Sequence, residues 1–118
     1  MKISVVGVCA SGKTTLVRGL KALGYDAYVV AQEHSCVKTL WQKRQPDLLI
    51  LLDANLQTIR QRRQVSWGEE RLTVQQERLS HARQHADLFL PTDSLTARDV
   101  MNQTVAYIGG QYGSDYSR

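Results

Sequence analysis

Apolar residues fall along the chain in short blocks of two kinds, unbroken runs and helical stripes. Ile3 to Val6 is a largely β-branched run closed by Gly7, the pattern of a buried strand. From Lys13 to Leu23 the spacing changes. Leu16, Val17, Leu20 and Leu23 share one helical face, and Gly24 stops the helix. Ala27 to Ala31 reads as a second strand. Val37, Leu40 and Trp41 predict the inner face of a short second helix that ends before Pro46. Leu48 to Leu52 is apolar without alternation, as in a strand covered on both faces, and it ends at Asp53.

Asn55 is placed to cap a third helix carrying Leu56 and Ile59. Ser66-Trp67-Gly68-Glu69 has capping-box spacing and predicts a helix with Leu72, Leu79, Ala82 and Ala86 inward. Leu88 to Leu90 is the fourth strand, stopped by Pro91. Thr96 and Asp99 cap a last helix with Val100, Met101, Val105 and Ile108 as its apolar face, ended by Gly109-Gly110. Strands and helices thus alternate four times. This predicts one α/β domain over residues 1–110, with a parallel sheet, right-handed crossovers and strand order 2-1-3-4. Residues 111–118 read as a polar tail.

Composition narrows the class. The 118 residues suffice for one modest core, and 42% hydrophobic with 22% charged is a globular balance. A net charge of +4 suits anionic small molecules as well as nucleic acid. Cys9 and Cys36 form neither a disulfide framework nor a structural zinc pattern. Met1-Lys2-Ile3-Ser4 opens into no signal-peptide pattern, and no apolar stretch nears the ~20 residues of a membrane span, so the expectation is a cytoplasmic protein.

The most informative segment is Gly7-Val8-Cys9-Ala10-Ser11-Gly12-Lys13-Thr14-Thr15, which fits G-x-x-x-x-G-K-[ST] at every required position. Its glycines let successive N–H groups turn toward phosphate oxygens, and the following helix adds its positive end. Gly7, Ala10, Ser11, Gly12, Lys13, Thr14 and Thr15 are the expected nucleotide-binding residues. Lys13 would reach the β- and γ-phosphates, and Thr14 would place its hydroxyl on Mg²⁺. Cys9 reads as a loop filler.

Gly7 to Leu16 resembles the P-loop of small-molecule and nucleotide kinases. Pro46 to Ala54, followed by Arg60, Arg62 and Arg63, resembles the thymidylate kinase-like pattern of a strand ending in Leu-Asp and an Arg-rich helix. Val29 to Ser35 is similar to the strand and Asp-Arg-x-x-Ser turn of that group, with Gln32-Glu33 in place of Asp-Arg. Ala86 to Thr96 is similar to its last strand and base-side loop. The resemblance implies a three-layer P-loop NTPase-type fold and ATP with Mg²⁺ as cofactors. It also implies a helical acceptor-binding insertion, for which this chain has no room, and a lid, for which Arg60 to Arg71 is the one candidate.

Two acids compete for the metal or the acceptor. Glu33 follows the second strand, beside His34 and Ser35; Asp53 follows the third in Walker B outline, with helix capping as its other use. Arg60 and Arg63, three apart, are the candidates to stabilise the transferring phosphoryl group. Trp67 reads as a base-stacking platform or a hydrophobic hinge plug. His81 and His85 read as a solvated face. The function expected is a minimal kinase transferring the γ-phosphoryl group of Mg-ATP to a nucleotide-like acceptor, with Lys13, Glu33, Asp53, Arg60 and Arg63 as catalytic candidates and Thr14 and Glu33 at the metal. The alternatives are a non-catalytic nucleotide-binding module that works with a partner and a basic nucleic-acid-binding domain. A homo-oligomer could supply the missing lid.

Overall fold

The computed structural model describes residues 1–112 of the chain. Four strands form at the apolar runs: β1 (Lys2–Gly7), β2 (Asp26–Val29), β3 (Leu48–Asp53) and β4 (Leu88–Pro91). All pair in parallel, in the order β2-β1-β3-β4, with Val5 opposite both Val29 and Ile50 and Leu52 opposite Leu90. Five helices surround them: α1 (Lys13–Ala22), α2 (Leu56–Arg62), α3 (Glu69–Arg78), α4 (Ser80–His85) and α5 (Ala97–Tyr112).

Because side chains alternate across a strand, the two central strands feed two cores. Ile3, Val5, Leu48, Ile50 and Leu52 face α1 and α5, meeting Leu16, Leu20 and Ile108. Val6, Leu49 and Leu51 face the other way, onto Ile59 of α2, Leu72 of α3 and Ala82 of α4. The result is a three-layer α/β fold, and it explains why β3 is apolar at every position from Leu48 to Leu52. Among the described residues, no helix is long and apolar enough to cross a membrane.

Local chemistry sets the ends of the elements. Tyr25 N–H donates to the Leu20 carbonyl and Gly24 N–H to that of Lys21, closing α1 in a Schellman turn with Gly24 at φ +94°. Asn55 Oδ1 accepts from Thr58 N–H at 2.8 Å at the start of α2. Thr96 and Asp99 cap each other's backbone at 3.0 Å ahead of α5.

Several expectations are corrected. The helix over Val37 to Trp41 is absent. The β2–β3 connection carries only two 3-10 turns, 32–34 and 40–42, with Val37 exposed and Trp41 buried. Without a second apolar turn, the segment lacks the buried stripe that a helix needs to persist. Leu23 is exposed because the chain leaves the helix there. α3 begins at Gly68 with no side-chain cap, so Ser66 does not close a capping box. Leu79, at φ −91° and ψ −2°, separates α3 from α4. In α5 the inward position is taken by Thr104, whose hydroxyl donates to the Val100 carbonyl at 2.8 Å, while Val105 is exposed. Gly109-Gly110 does not end α5, which continues to Tyr112; the rest of the expected tail lies outside the described residues.

Candidate functional site

The order in which strands are laid down reverses across the sheet between β1 and β3, since β1 is followed by β2 on one side and β3 lies on the other. The crevice beyond the carboxyl ends of parallel strands at such a point is where open α/β sheets hold ligands. The loop from Val8 to Gly12 occupies it. Its first glycine is packed on β3: a Cβ on Gly7 would stand 2.3 Å from the Leu52 carbonyl oxygen and 2.7 Å from Ser11 Oγ. Ala10 at φ +58° and Gly12 at φ +103° turn the loop into α1 through left-handed conformations. No side chain caps α1, so none occupies the N–H groups of its first turn, whose residues Lys13, Thr14 and Thr15 line the crevice.

Lys13 folds back over this loop. Its ammonium donates to the carbonyls of Gly7 at 2.8 Å and Val8 at 3.0 Å and pairs with Glu33 Oε2 at 2.6 Å. Glu33 comes from the 3-10 turn after β2. That turn is pinned by the buried Gln32, which accepts from Trp41 N–H and donates to the Val37 and Arg78 carbonyls. Arg78 of α3 in turn donates to the Glu33 carbonyl at 3.3 Å. The Glu33 side chain is only 5% exposed, yet its Oε1 has no hydrogen-bond partner, and neither has Ser11 Oγ. Buried polar atoms are nearly always paired, so each of these two is open to a further hydrogen bond.

Two cavities flank the loop. One, of about 250 Å³, is lined by residues 9–15 together with Glu33, His34 and Arg63. The other, of about 220 Å³, lies between the start of α1 and Arg62, Thr92, Leu95 and Val100. The structure thus brings Lys13, Thr14, Glu33 and Arg63 to one cavity, with Ser11, Gly12 and Thr15 shared between both.

Two candidates fall elsewhere. Arg60 is exposed and donates to the Trp67 carbonyl at 3.2 Å, because α2 ends at Arg62 and the extended Arg63 no longer shares its face. Asp53 lines neither cavity. Its backbone carbonyl holds β4 by accepting from Thr92 N–H, while burial raises its carboxyl above the ordinary range against the Ala54 N–H and the Arg83 charge. Trp67 is half-buried against the core under α3, the hinge-plug use. His81 is half-buried and accepts from Trp41 Nε1–H at 3.1 Å, while His85 is exposed as expected; both rings lie tilted near that indole.

Three residues of the site had no sequence signal strong enough to single them out. Arg62 donates to the Ala10 carbonyl, to Thr92 Oγ1 and to the Thr92 carbonyl, tying the loop to the end of β4. Thr92 Oγ1–H donates to the Ser11 carbonyl at 2.9 Å. Gln75, 1% exposed on α3, accepts from Cys9 N–H and donates to Cys9 Sγ. A glutamine three residues after Leu72 was its only trace, since that spacing puts it on the buried face. No protein-family model matches the chain, and no curated protein matches it significantly.

Proposed function

We propose that the chain binds ATP with Mg²⁺ at the loop after β1, as a minimal cytoplasmic kinase of the nucleotide kinase-like group acting on a nucleotide-like acceptor. The observation that carries this reading is the uncapped loop-to-helix turn with Lys13 and the buried Glu33 converging on one cavity. Free backbone donors, a cation and a carboxylate at a sheet crossover are the parts that phosphoryl transfer needs.

In this reading the loop amides and the α1 N-terminus donate to phosphate oxygens. The Lys13 ammonium leaves the Gly7 and Val8 carbonyls for the β- and γ-phosphates. Arg63, on the same cavity, meets charge on the transferring group. The second cavity, with Leu95 and Val100 on one wall and Arg62 on another, suits a base and ribose. Thr14 and Glu33 offer the hard oxygen donors that Mg²⁺ prefers, and the unpartnered Glu33 Oε1 fits that demand. When bound, the ion neutralises charge on the phosphate oxygens. Toward an acceptor that attacks through a hydroxyl, the Glu33 carboxylate would otherwise take that proton; a nucleoside monophosphate attacks through an ionised phosphate oxygen and needs no base.

One observation favours the binding-only module. The β2–β3 connection carries no helix where the kinase group has its acceptor-binding insertion. Calorimetry with Mg-ATP, joined to a phosphotransfer assay over nucleoside monophosphates, tests both. Lys13→Ala loses a charge-assisted contact and should weaken binding by roughly tenfold or more. Equal affinity in wild type and Lys13→Ala overturns the assignment of the loop. Tight binding without transfer to any acceptor selects the module.

A further inference from the structure

Three side chains of different chemistry converge beside the loop. Cys9 Sγ lies 3.7 Å from His34 Nε2, and the same Nε2 lies 3.7 Å from Glu33 Oε2. One ligand atom from each residue falls within 4.8 Å of the other two. Donors around a four-coordinate ion, with bonds of about 2.0–2.3 Å, stand roughly 3.3–3.7 Å apart. The three atoms therefore need only small movements to share one cation.

The surroundings support the same arrangement. Gln75 grips Cys9 from both sides, donating Nε2–H to Sγ at 3.2 Å and accepting the Cys9 amide at 3.0 Å. Such a donor orients the sulfur, as outer partners do in metal sites. Glu33 is held through its carbonyl by Arg78, and its own Oε1 is buried without a partner. His34 is exposed at the rim, so its imidazole can turn into the site without disturbing the core.

We propose that Cys9, Glu33 and His34 form a binding site for a thiophilic divalent cation of the Zn²⁺ type. Sulfur and imidazole select Zn²⁺ over Mg²⁺, which takes oxygen. Three protein ligands leave a fourth position to water. On binding, the Cys9 thiol releases its proton to solvent; thiolate and carboxylate offset the ion's two charges, and the Lys13 ammonium is left as one net positive charge beside the site. Lys13 is the competitor for Oε2, at 2.6 Å, but it keeps the Gly7 and Val8 carbonyls when the metal takes that oxygen. The site stands on these donors and not on nucleotide binding. Only one consequence rests on the kinase reading: both cations draw on the Glu33 carboxylate, so each weakens the other's binding.

Cobalt titration of the reduced, nucleotide-free protein in thiol-free buffer tests the site. One equivalent of Co²⁺ should give a thiolate-to-cobalt charge-transfer band with tetrahedral visible absorption, and Zn²⁺ should displace it. Cys9→Ser should abolish the band. His34→Ala, a change at an exposed side chain, should weaken Co²⁺ binding by about tenfold or more. Cys36→Ser should leave the spectrum unchanged. Absence of the band in the wild type, its survival in Cys9→Ser, unweakened binding in His34→Ala or its loss in Cys36→Ser each overturns the proposal. As no nucleotide is present, failure here leaves the kinase reading intact, and failure of that reading leaves the metal site intact.

Discussion

Glu33, in the turn after β2, and Asp53, at the end of β3, are two acids with opposite surroundings. Glu33 is paired with Lys13 in the cavity; Asp53 is half-buried, lines neither loop cavity and has its carboxyl raised by burial. Glu33→Gln should therefore lower phosphotransfer or nucleotide hydrolysis well over tenfold, while Asp53→Asn leaves turnover within a few-fold; a loss confined to Asp53→Asn would reverse the assignment. Asp53 bears instead on stability. Its folded state holds a proton more tightly than the unfolded chain, so ionisation opposes folding. That cost is absent below the ordinary carboxylate range, grows as pH rises toward the raised folded value, and is complete above it. Asp53→Asn should thus be more stable than wild type near neutral pH and lose this advantage in acid, read from urea midpoints across pH.

At the scale of elements, the break between α2 and α3 is the informative one. A single helix through 56–78 would leave its arginines in water. The chain instead leaves helical geometry from Arg63 to Gly68, with Arg63 on the loop cavity and Trp67 plugged into the core. A short irregular segment between two anchored helices is the kind of element that closes over a ligand. Amide exchange over residues 63–68 should slow severalfold when a non-hydrolysable ATP analogue binds. Exchange that is slow and indifferent to nucleotide would mean a fixed connector and favour the binding-only module. The arginines divide accordingly: Arg63 serves the cavity, Arg62 ties the loop to β4, and Arg60 holds the connector through the Trp67 carbonyl.

For the whole molecule, the loop, the 3-10 turn and the end of β4 are joined into one unit through Lys13–Glu33, Gln75–Cys9 and Arg62–Thr92. A ligand seated among them stabilises the folded state by mass action. At a hundred times its Kd the gain is about 2.7 kcal/mol, which corresponds to a Tm rise of several degrees or more for a domain of this size. Mg-ATP should give this shift in the wild type, and a tenfold loss of affinity in Lys13→Ala should cut it to about half at the same concentration. An equal shift in both proteins would mean that nucleotide binds elsewhere.

The sheet, its order and the glycine-rich loop were legible in the sequence because each rests on local or nearest-neighbour physics. Unbroken apolar runs require two-sided burial, Gly24 and Asn55 act within one turn of chain, and the loop motif carries its own backbone chemistry. The rest depended on partners far along the chain. Nothing near Gln75 says that it will hold Cys9, 66 residues away, and nothing near Arg62 says that it will reach Ala10, 52 residues away. Helical spacing paired Arg60 with Arg63, but the end of α2 put them in different places. The stripe at Val37 and Trp41 was real for Trp41 alone, since the second core had room for one side chain there. Where a side chain meets only its own turn, spacing decides its place; where it must fill a gap between layers, the packing of distant elements decides.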